Sequence, residues 1–435
     1  MLKIKNKILQ FSFKVVGSIA FYPSLITIAF SIFAIVVLQV ENYGISKYIG
    51  ENGQYIIVNN KETARTILST LIGGIMSLMV FSFSMVMLLL NQASSNFSPR
   101  VLPNLIANKE HQFVLGVFIG TIVYCLLVSI NILPDHRSYS VPGVATFIGV
   151  LLGLFCLALF VYFLHSISQS IQIGYILENL YKDTLAEIES EIEKSDQRKD
   201  KLPEGKNWQT VCSLQTGYLQ NIVKQHLLEL AEKYETSILI FHPEGKFIIK
   251  GEPIVKVEKK LEEDAQKEIA SCLIFSSEER IGQNFVLGFK QVTEIVVKAM
   301  SPGINDPGTA LVGIDYLSEL FRKRMQLPDN VQLNIKNEDN DKEEREEKVY
   351  LKNTSFENIF YLNIVSIRQY VRHDVVVLLR LLDFYKSLLN VKNISDKHQK
   401  YLEKHLNFLL EDIKECITNK GDQEILLKAG EQLLE

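Results

Sequence analysis

The chain has 435 residues, a formal net charge of −4 and 47% hydrophobic residues. That average hides a division: residues 1–180 hold 16 Asp, Glu, Lys and Arg and sum to +4, whereas residues 181–435 hold 80 and sum to −8. Two such materials joined end to end exclude a single soluble globule, a disordered chain and a secreted disulfide scaffold.

In the charge-poor part, residues 15–40, 66–99, 112–134 and 138–177 contain no Asp, Glu, Lys or Arg. A helix needs about 20 apolar residues to cross the hydrocarbon layer. Each stretch therefore supplies one span, placed near residues 17–38, 67–90, 113–132 and 141–164. The first follows a basic leader (Lys3, Lys5, Lys7, Lys14). Its apolar run exceeds a signal-peptide core and lacks an A-x-A-like cleavage site, so it reads as a retained span. The leader lysines put both chain ends on the cytoplasmic side. The five cysteines form no C-x-x-C and no zinc spacing.

The second span carries a polar line. Thr70, Ser77, Ser84 and Asn91 recur every seven residues, with Gly73 and Gly74 on or beside the same face. Seven residues are nearly two helical turns, so these groups form a slowly drifting seam. Two readings stay open: a helix-packing stripe or the lining of a water path. The seam has no ionisable group, which argues against a buried-carboxylate proton relay. His165 closes the fourth span as an interfacial histidine.

The fourth span is expected to run on as a helix through residues 175–193, followed by a charged linker with Pro203 and Gly205. Beyond Trp208 the pattern predicts a helix over 214–234, where Leu219, Ile222, Leu227 and Leu230 make an apolar stripe. Strands follow at 237–242, 246–250 and 253–257, then a helix over 261–269 and a strand over 271–275. A helix over 283–300 stops at Ser301-Pro302-Gly303. Asp306 before Pro307 is an N-cap and N1 proline for the next helix, to about residue 325. Residues 328–348 read as a solvated charged insert without calcium-loop spacing. One long helix is expected over 356–389, then Ser395 capping a helix over 396–417, and a short last helix over 422–434.

The organisation read from the sequence is an α-helical membrane protein with a cytoplasmic α+β domain and C-terminal helices. Its parts are a four-span transmembrane domain over 1–177, a helical extension and linker over 178–206, the α+β domain over 207–327, the charged insert over 328–349 and a helical region over 350–435. The loop at Ser301, Asn305 and Asp306 ends at a helix N-terminus, which favours anions. Arg280, Lys290, Gln291 and Arg368 would join it if the fold brings them close; otherwise it is a tight turn built for its backbone.

Three stretches together carry a resemblance: residues 76–99 with their Leu-Asn-Gln-Ala-Ser-Ser-Asn-Phe-Ser-Pro ending, the Lys298-Ala299-Met300-Ser301-Pro302-Gly303-Ile304-Asn305-Asp306-Pro307 run, and Ser366-Ile367-Arg368-Gln369-Tyr370. The combination resembles the bacterial family of predicted membrane proteins with domain of unknown function 2254, from the first span to about Leu389. Asn284 stands where the family pattern leads one to expect Asp. The resemblance implies the architecture and a bacterial inner membrane, and supplies no activity.

Two functions are expected from different classes. One is a homo-oligomeric channel or pore-like protein with a cytoplasmic regulatory domain. The other is a membrane-anchored sensor or scaffold whose cytoplasmic domain binds a small anion or a protein partner. No P-loop, G-x-S-x-G or H-E-x-x-H occurs, so the reading is not an enzyme. The lipid bilayer, a second copy and a small ion or anion are the expected partners; no cofactor, metal or nucleic acid is expected.

Overall fold

The computed structural model describes residues 20–43, 58, 60–96, 109–132, 142–170, 172–193, 202–276, 284–334, 348–392 and 394–434. The chain divides into two compact units, residues 1–172 and 173–435.

The first unit holds α1 (Phe21–Asn42), α2 (Lys61–Asn96), α3 (Lys109–Asn131) and α4 (Gly143–Ser170). All four are long and apolar enough to cross a membrane. Helix α2 starts six residues before the expected span. Asn60 explains this, because its side-chain oxygen accepts from the amides of Glu62 (2.8 Å) and Thr63 (3.2 Å) and so caps the helix. Helix α3 is central and the most buried of the four. Glycines set its approach to α1: a Cβ on Gly116 would meet Ile26, and one on Gly120 would meet Phe30. Gly149 and Gly153 of α4 receive Leu68 and Leu71 of α2 in the same way. Small residues that admit a neighbouring side chain are the usual means of helix association in lipid. Polar links add direction. The Tyr124 hydroxyl donates to the Ala145 carbonyl at 2.9 Å, and Arg65 donates to the Ile132 carbonyl at 2.6 Å, closing the end of α3.

The second unit opens with α5 (Ile173–Glu193). A five-stranded sheet runs β1 (Gln209–Cys212), β5 (Pro253–Val257), β3 (Ile238–Ile240), β8 (Lys348–Lys352), β7 (Asn330–Asn334). The β3–β8 pair is parallel, with Ile238 opposite Val349, and the other pairs are antiparallel. A second sheet runs β4 (Phe247–Ile248), β2 (Gly217–Ile222), β6 (Leu273–Ser276). Helices α6 (Lys224–Lys233) and α7 (Glu263–Ala270) complete this layer. Its core gathers Leu219, Leu227, Leu230, Ile238, Ile240, Val255, Ile269 and Val349.

Three expectations are corrected here. The helix predicted over 214–234 is a strand over Gly217–Ile222 and a helix only from Lys224. The flanks of the charged insert are not loop but the arms of the β7–β8 hairpin. The helix predicted over 356–389 is two helices, because Asp374 takes the Val377 amide at 3.0 Å and starts a new one.

The helical layer comprises α8 (Phe285–Ala299), α9 (Pro307–Arg324), α10 (Phe356–Val371), α11 (Val375–Leu389), α12 (Asp396–Cys416) and α13 (Lys420–Glu431). Ser395 caps α12 as expected, accepting from the His398 amide. Phe321 sits at the layer's centre, with ring centroids of Phe289, Phe360, Phe384 and Phe356 at 4.6, 5.5, 5.7 and 5.8 Å. Below it, Arg324 has no exposure to solvent. It donates to the Leu327 carbonyl (2.8 Å), the Asp329 carboxylate (2.7 Å) and the Thr354 carbonyl (2.7 Å).

Helix α5 packs on α8 and α9. Tyr181 stacks on Tyr316 at 4.7 Å and Glu189 pairs with Lys323 at 2.8 Å. Gly288 lies directly against Thr184, and a Cβ there would overlap the Thr184 side chain. Overpacking at such a contact costs roughly 1–3 kcal/mol. Gly288→Ala should therefore lower the melting temperature of the purified protein by several degrees. Adding Thr184→Ala should recover part of the loss, since it removes the two atoms nearest the new methyl group. Thermal unfolding of the single and double variants checks this.

Candidate functional site

The seam of α2 is assembled from its sequence spacing and lies on the side of the helix that its own unit leaves open. Thr70, Gly73, Gly74, Ser77, Ser84 and Asn91 are all exposed in the single chain. The glycines meet nothing within 4 Å, unlike Gly116, Gly120, Gly149 and Gly153. The opposite side of α2, at Ala64, Leu68, Ile75 and Ser82, is the buried one. Each seam hydroxyl is satisfied by its own helix: Thr70 donates to Thr66, Ser77 to Gly73 and Ser84 to Val80, at 2.8 to 3.0 Å. Such back-bonded hydroxyls are tolerated next to lipid and keep oxygen lone pairs for a further donor.

In the second unit, Ser301, Asn305 and Asp306 share one turn between α8 and α9. Its polar groups are used within it. The Ser301 hydroxyl donates to the Lys298 carbonyl (2.7 Å), and the Asn305 amide donates to the Ser301 carbonyl (3.0 Å). Asn305 adopts φ +48, a left-handed conformation that Asn tolerates. Asp306 caps α9, accepting from the Thr309 amide at 3.2 Å and the Thr309 hydroxyl at 2.6 Å. A carboxylate thus already occupies this helix N-terminus. Lys290 and Gln291 lie on α8 about 12–14 Å further along the axis, by the rise of the helix. Arg368 of α10 is engaged by Asp412 of α12 at 2.9 Å and lies against the Phe408 ring. Arg280 lies outside the described residues, as does the connection over 97–108.

Asp329, Glu357 and His398 bring potential ligand atoms within 4.8 Å of one another. The protein's own cations already serve them: Lys397 stands 2.6 Å from Glu357 and 3.6 Å from Asp329, and Arg324 holds Asp329. Burial works against the Asp329 carboxylate, yet Arg324, the Phe356 amide and Lys397 keep its pKa below the usual range. The two carboxylates take part in an ion-pair network with these cations.

Sequence reading missed a cleft between the two layers of the second unit. Its polar lining comes from Glu191 of α5, Lys224 of α6, Glu244 of the β3–β4 turn, Asn284, Lys352 at the end of β8, and Asn353 and Thr354 after it. The cavity is about 50 Å³, room for a few waters or a small ion. Asn284 caps α8, accepting from the Val286 amide at 3.0 Å, a task that Asp performs equally well. Glu244 accepts from the Ile222 amide at 3.0 Å. Burial pushes its carboxyl up to about 7, against the pull of Lys224 and the Ile222 amide. The cleft therefore holds an acid that exchanges its proton near neutrality, beside the Lys224–Glu191 pair at 3.7 Å.

Because folding raises the pKa of Glu244, the folded protein keeps a proton that the unfolded chain has lost. Stability is then greatest below the unfolded value, falls as pH rises towards 7, and levels off above it. Glu244→Gln mimics the protonated form. The fall in melting temperature between pH 5 and pH 7.5 should shrink by a few degrees in that variant, as thermal unfolding across this pH range will register.

The family described as predicted membrane protein (DUF2254) matches residues 17–387. Uncharacterized proteins of Mycobacterium bovis and Mycobacterium tuberculosis are 26% identical over 320 residues, covering 70% of this chain and 60% of each relative. The chain thus spans about 60% of the length of these relatives. No solved structure matches.

Proposed function

The chain belongs to the DUF2254 family of predicted membrane proteins, and from that premise we propose a homo-oligomeric, pore-like protein of the bacterial inner membrane. Copies of α2 surround a shared axis, with Thr70, Gly73, Gly74, Ser77, Ser84 and Asn91 facing it. Four helices are too few to enclose a solute path, and symmetric assembly is the usual remedy. The observation that carries this reading is the uncovered seam: polar atoms and bare glycines on the face of α2 that its own chain does not pack. A second copy or water in a shared path would cover it. The lysine-rich leader supports both ends on the cytoplasmic side, with residues 173–435 as a regulatory domain there.

A second reading is favoured by the cleft at Glu244. Here the membrane helices anchor a sensor, and the second unit takes up a proton or a small polar ligand between Glu191, Lys224 and Glu244. Neither reading assigns catalysis, and no cofactor enters either one.

Cysteine labelling discriminates the pore. In a background without the five native cysteines, Ser77→Cys and Ser84→Cys should react in membranes with a small water-soluble thiol reagent. Ser82→Cys, at a position only 2% exposed on the buried side of α2, should resist it. Equal protection of all three positions would sink the pore and leave the seam facing lipid or a dry helix contact.

A further inference from the structure

The three-stranded sheet ends in an apolar tip that the core does not use. Residues 213–218 run beside residues 247–252. The Gly251 amide donates to the Ser213 carbonyl at 2.9 Å, the Ser213 amide to the Glu252 carbonyl at 2.8 Å, and the Lys250 amide to the Thr216 hydroxyl at 3.0 Å. Tyr218 pairs with Phe247 across the strands, their rings edge to face at 5.1 Å. Ile248 is fully buried behind them. This framework holds three large apolar side chains outward, Leu214 (46% exposed), Phe247 (49%) and Ile249 (61%). Exposed Lys246 and Lys250 flank the Phe247-Ile248-Ile249 run at its two ends. The nearby acid, Glu252, turns back onto the Ile249 amide at 3.0 Å and stands 3.9 Å from Lys246.

A bonded, ordered pair of segments that presents Phe, Ile and Leu to water calls for a surface that covers them. Exposed apolar residues flanked by lysines fit the interface of an anionic bilayer, where rings and branched chains enter between headgroups and ammonium groups meet phosphates. The same chain carries four candidate spans, and α5 begins four positions after the last of them in sequence. A bilayer is therefore tethered to this unit at high effective concentration. We propose that the tip formed by Leu214, Phe247 and Ile249, with Lys246 and Lys250, docks on anionic lipid.

The test uses the full chain, freed of its native cysteines and reconstituted in vesicles of phosphatidylcholine with phosphatidylglycerol. Phe247→Cys and, separately, Ile249→Cys carry an environment-sensitive nitrobenzoxadiazole dye. Exposed Glu424→Cys serves as the reference. The expected result is blue-shifted emission at 247 and 249, quenched several-fold more by nitroxide-bearing lipid than by iodide. The shift should diminish in phosphatidylcholine alone, and in the Lys246→Gln/Lys250→Gln variant. Emission and iodide quenching equal to those at 424 would overturn the proposal. So would a blue shift that lipid-borne nitroxide leaves unquenched, because the tip would then be covered by protein. Ile249 points furthest into solvent, so a folding defect in Phe247→Cys leaves the second site to decide.

Discussion

A guanidinium shut off from water ties together the junctions of the second unit's helical layer. Desolvating a charge costs several kcal/mol unless its partners are in place. The partners of Arg324 come from separate pieces of chain: the end of α9, Asp329 before β7, and Thr354 after β8. Asp329 in turn accepts the Phe356 amide at the start of α10. One buried cation therefore fixes where a helix stops, where a hairpin begins and where the next helix starts. The phenylalanine cluster around Phe321 can close only when those three junctions are in register. The Asp329, Glu357, Lys397 and Arg324 network balances two carboxylates with two cations.

The first unit follows a different constraint. In hydrocarbon every backbone polar group must be satisfied inside the segment, so long charge-free helices are the available form. Attraction between them then depends on fit rather than on exclusion of water. The glycines of α3 and α4 provide that fit within the chain, and those of α2 do not. This contrast between packed and bare glycines separates the seam from ordinary helix packing. It gives the pore reading its support.

The four spans were legible because a bilayer excludes charge, and the exclusion leaves runs that no soluble helix needs. The N-cap at Asp306 and the cap at Ser395 were legible from local chemistry alone. The strand at Gly217–Ile222 was not. Leu219 and Ile222 stand three apart and continue smoothly into the Leu227 and Leu230 stripe, so the helical period conceals a short alternating segment. β7 and β8 were hidden because they flank a highly charged insert, and their pairing to the sheet depends on β3, far away in sequence. The break at Asp374 had a signal, a His-Asp pair inside an apolar run, that the surrounding periodicity outweighed. Glu244 was illegible for a deeper reason: Pro-Glu-Gly reads as a surface turn, and only the approach of α5, α6 and α8 makes that glutamate a half-buried acid. Periodicity located the seam but could not say which neighbours it lacks.

The parallel pairing of β3 with β8 has a consequence for biosynthesis. Ile238 must wait for Val349, about 110 residues later in the chain. At ribosomal speeds of 5–20 residues per second, the open edge of β3 stays unpaired for on the order of ten seconds. In that interval the nascent chain is already held at the membrane by its spans. The order of the two units along the chain, apolar helices first and late-closing sheet second, thus places this long-range pairing after the membrane helices have been synthesised.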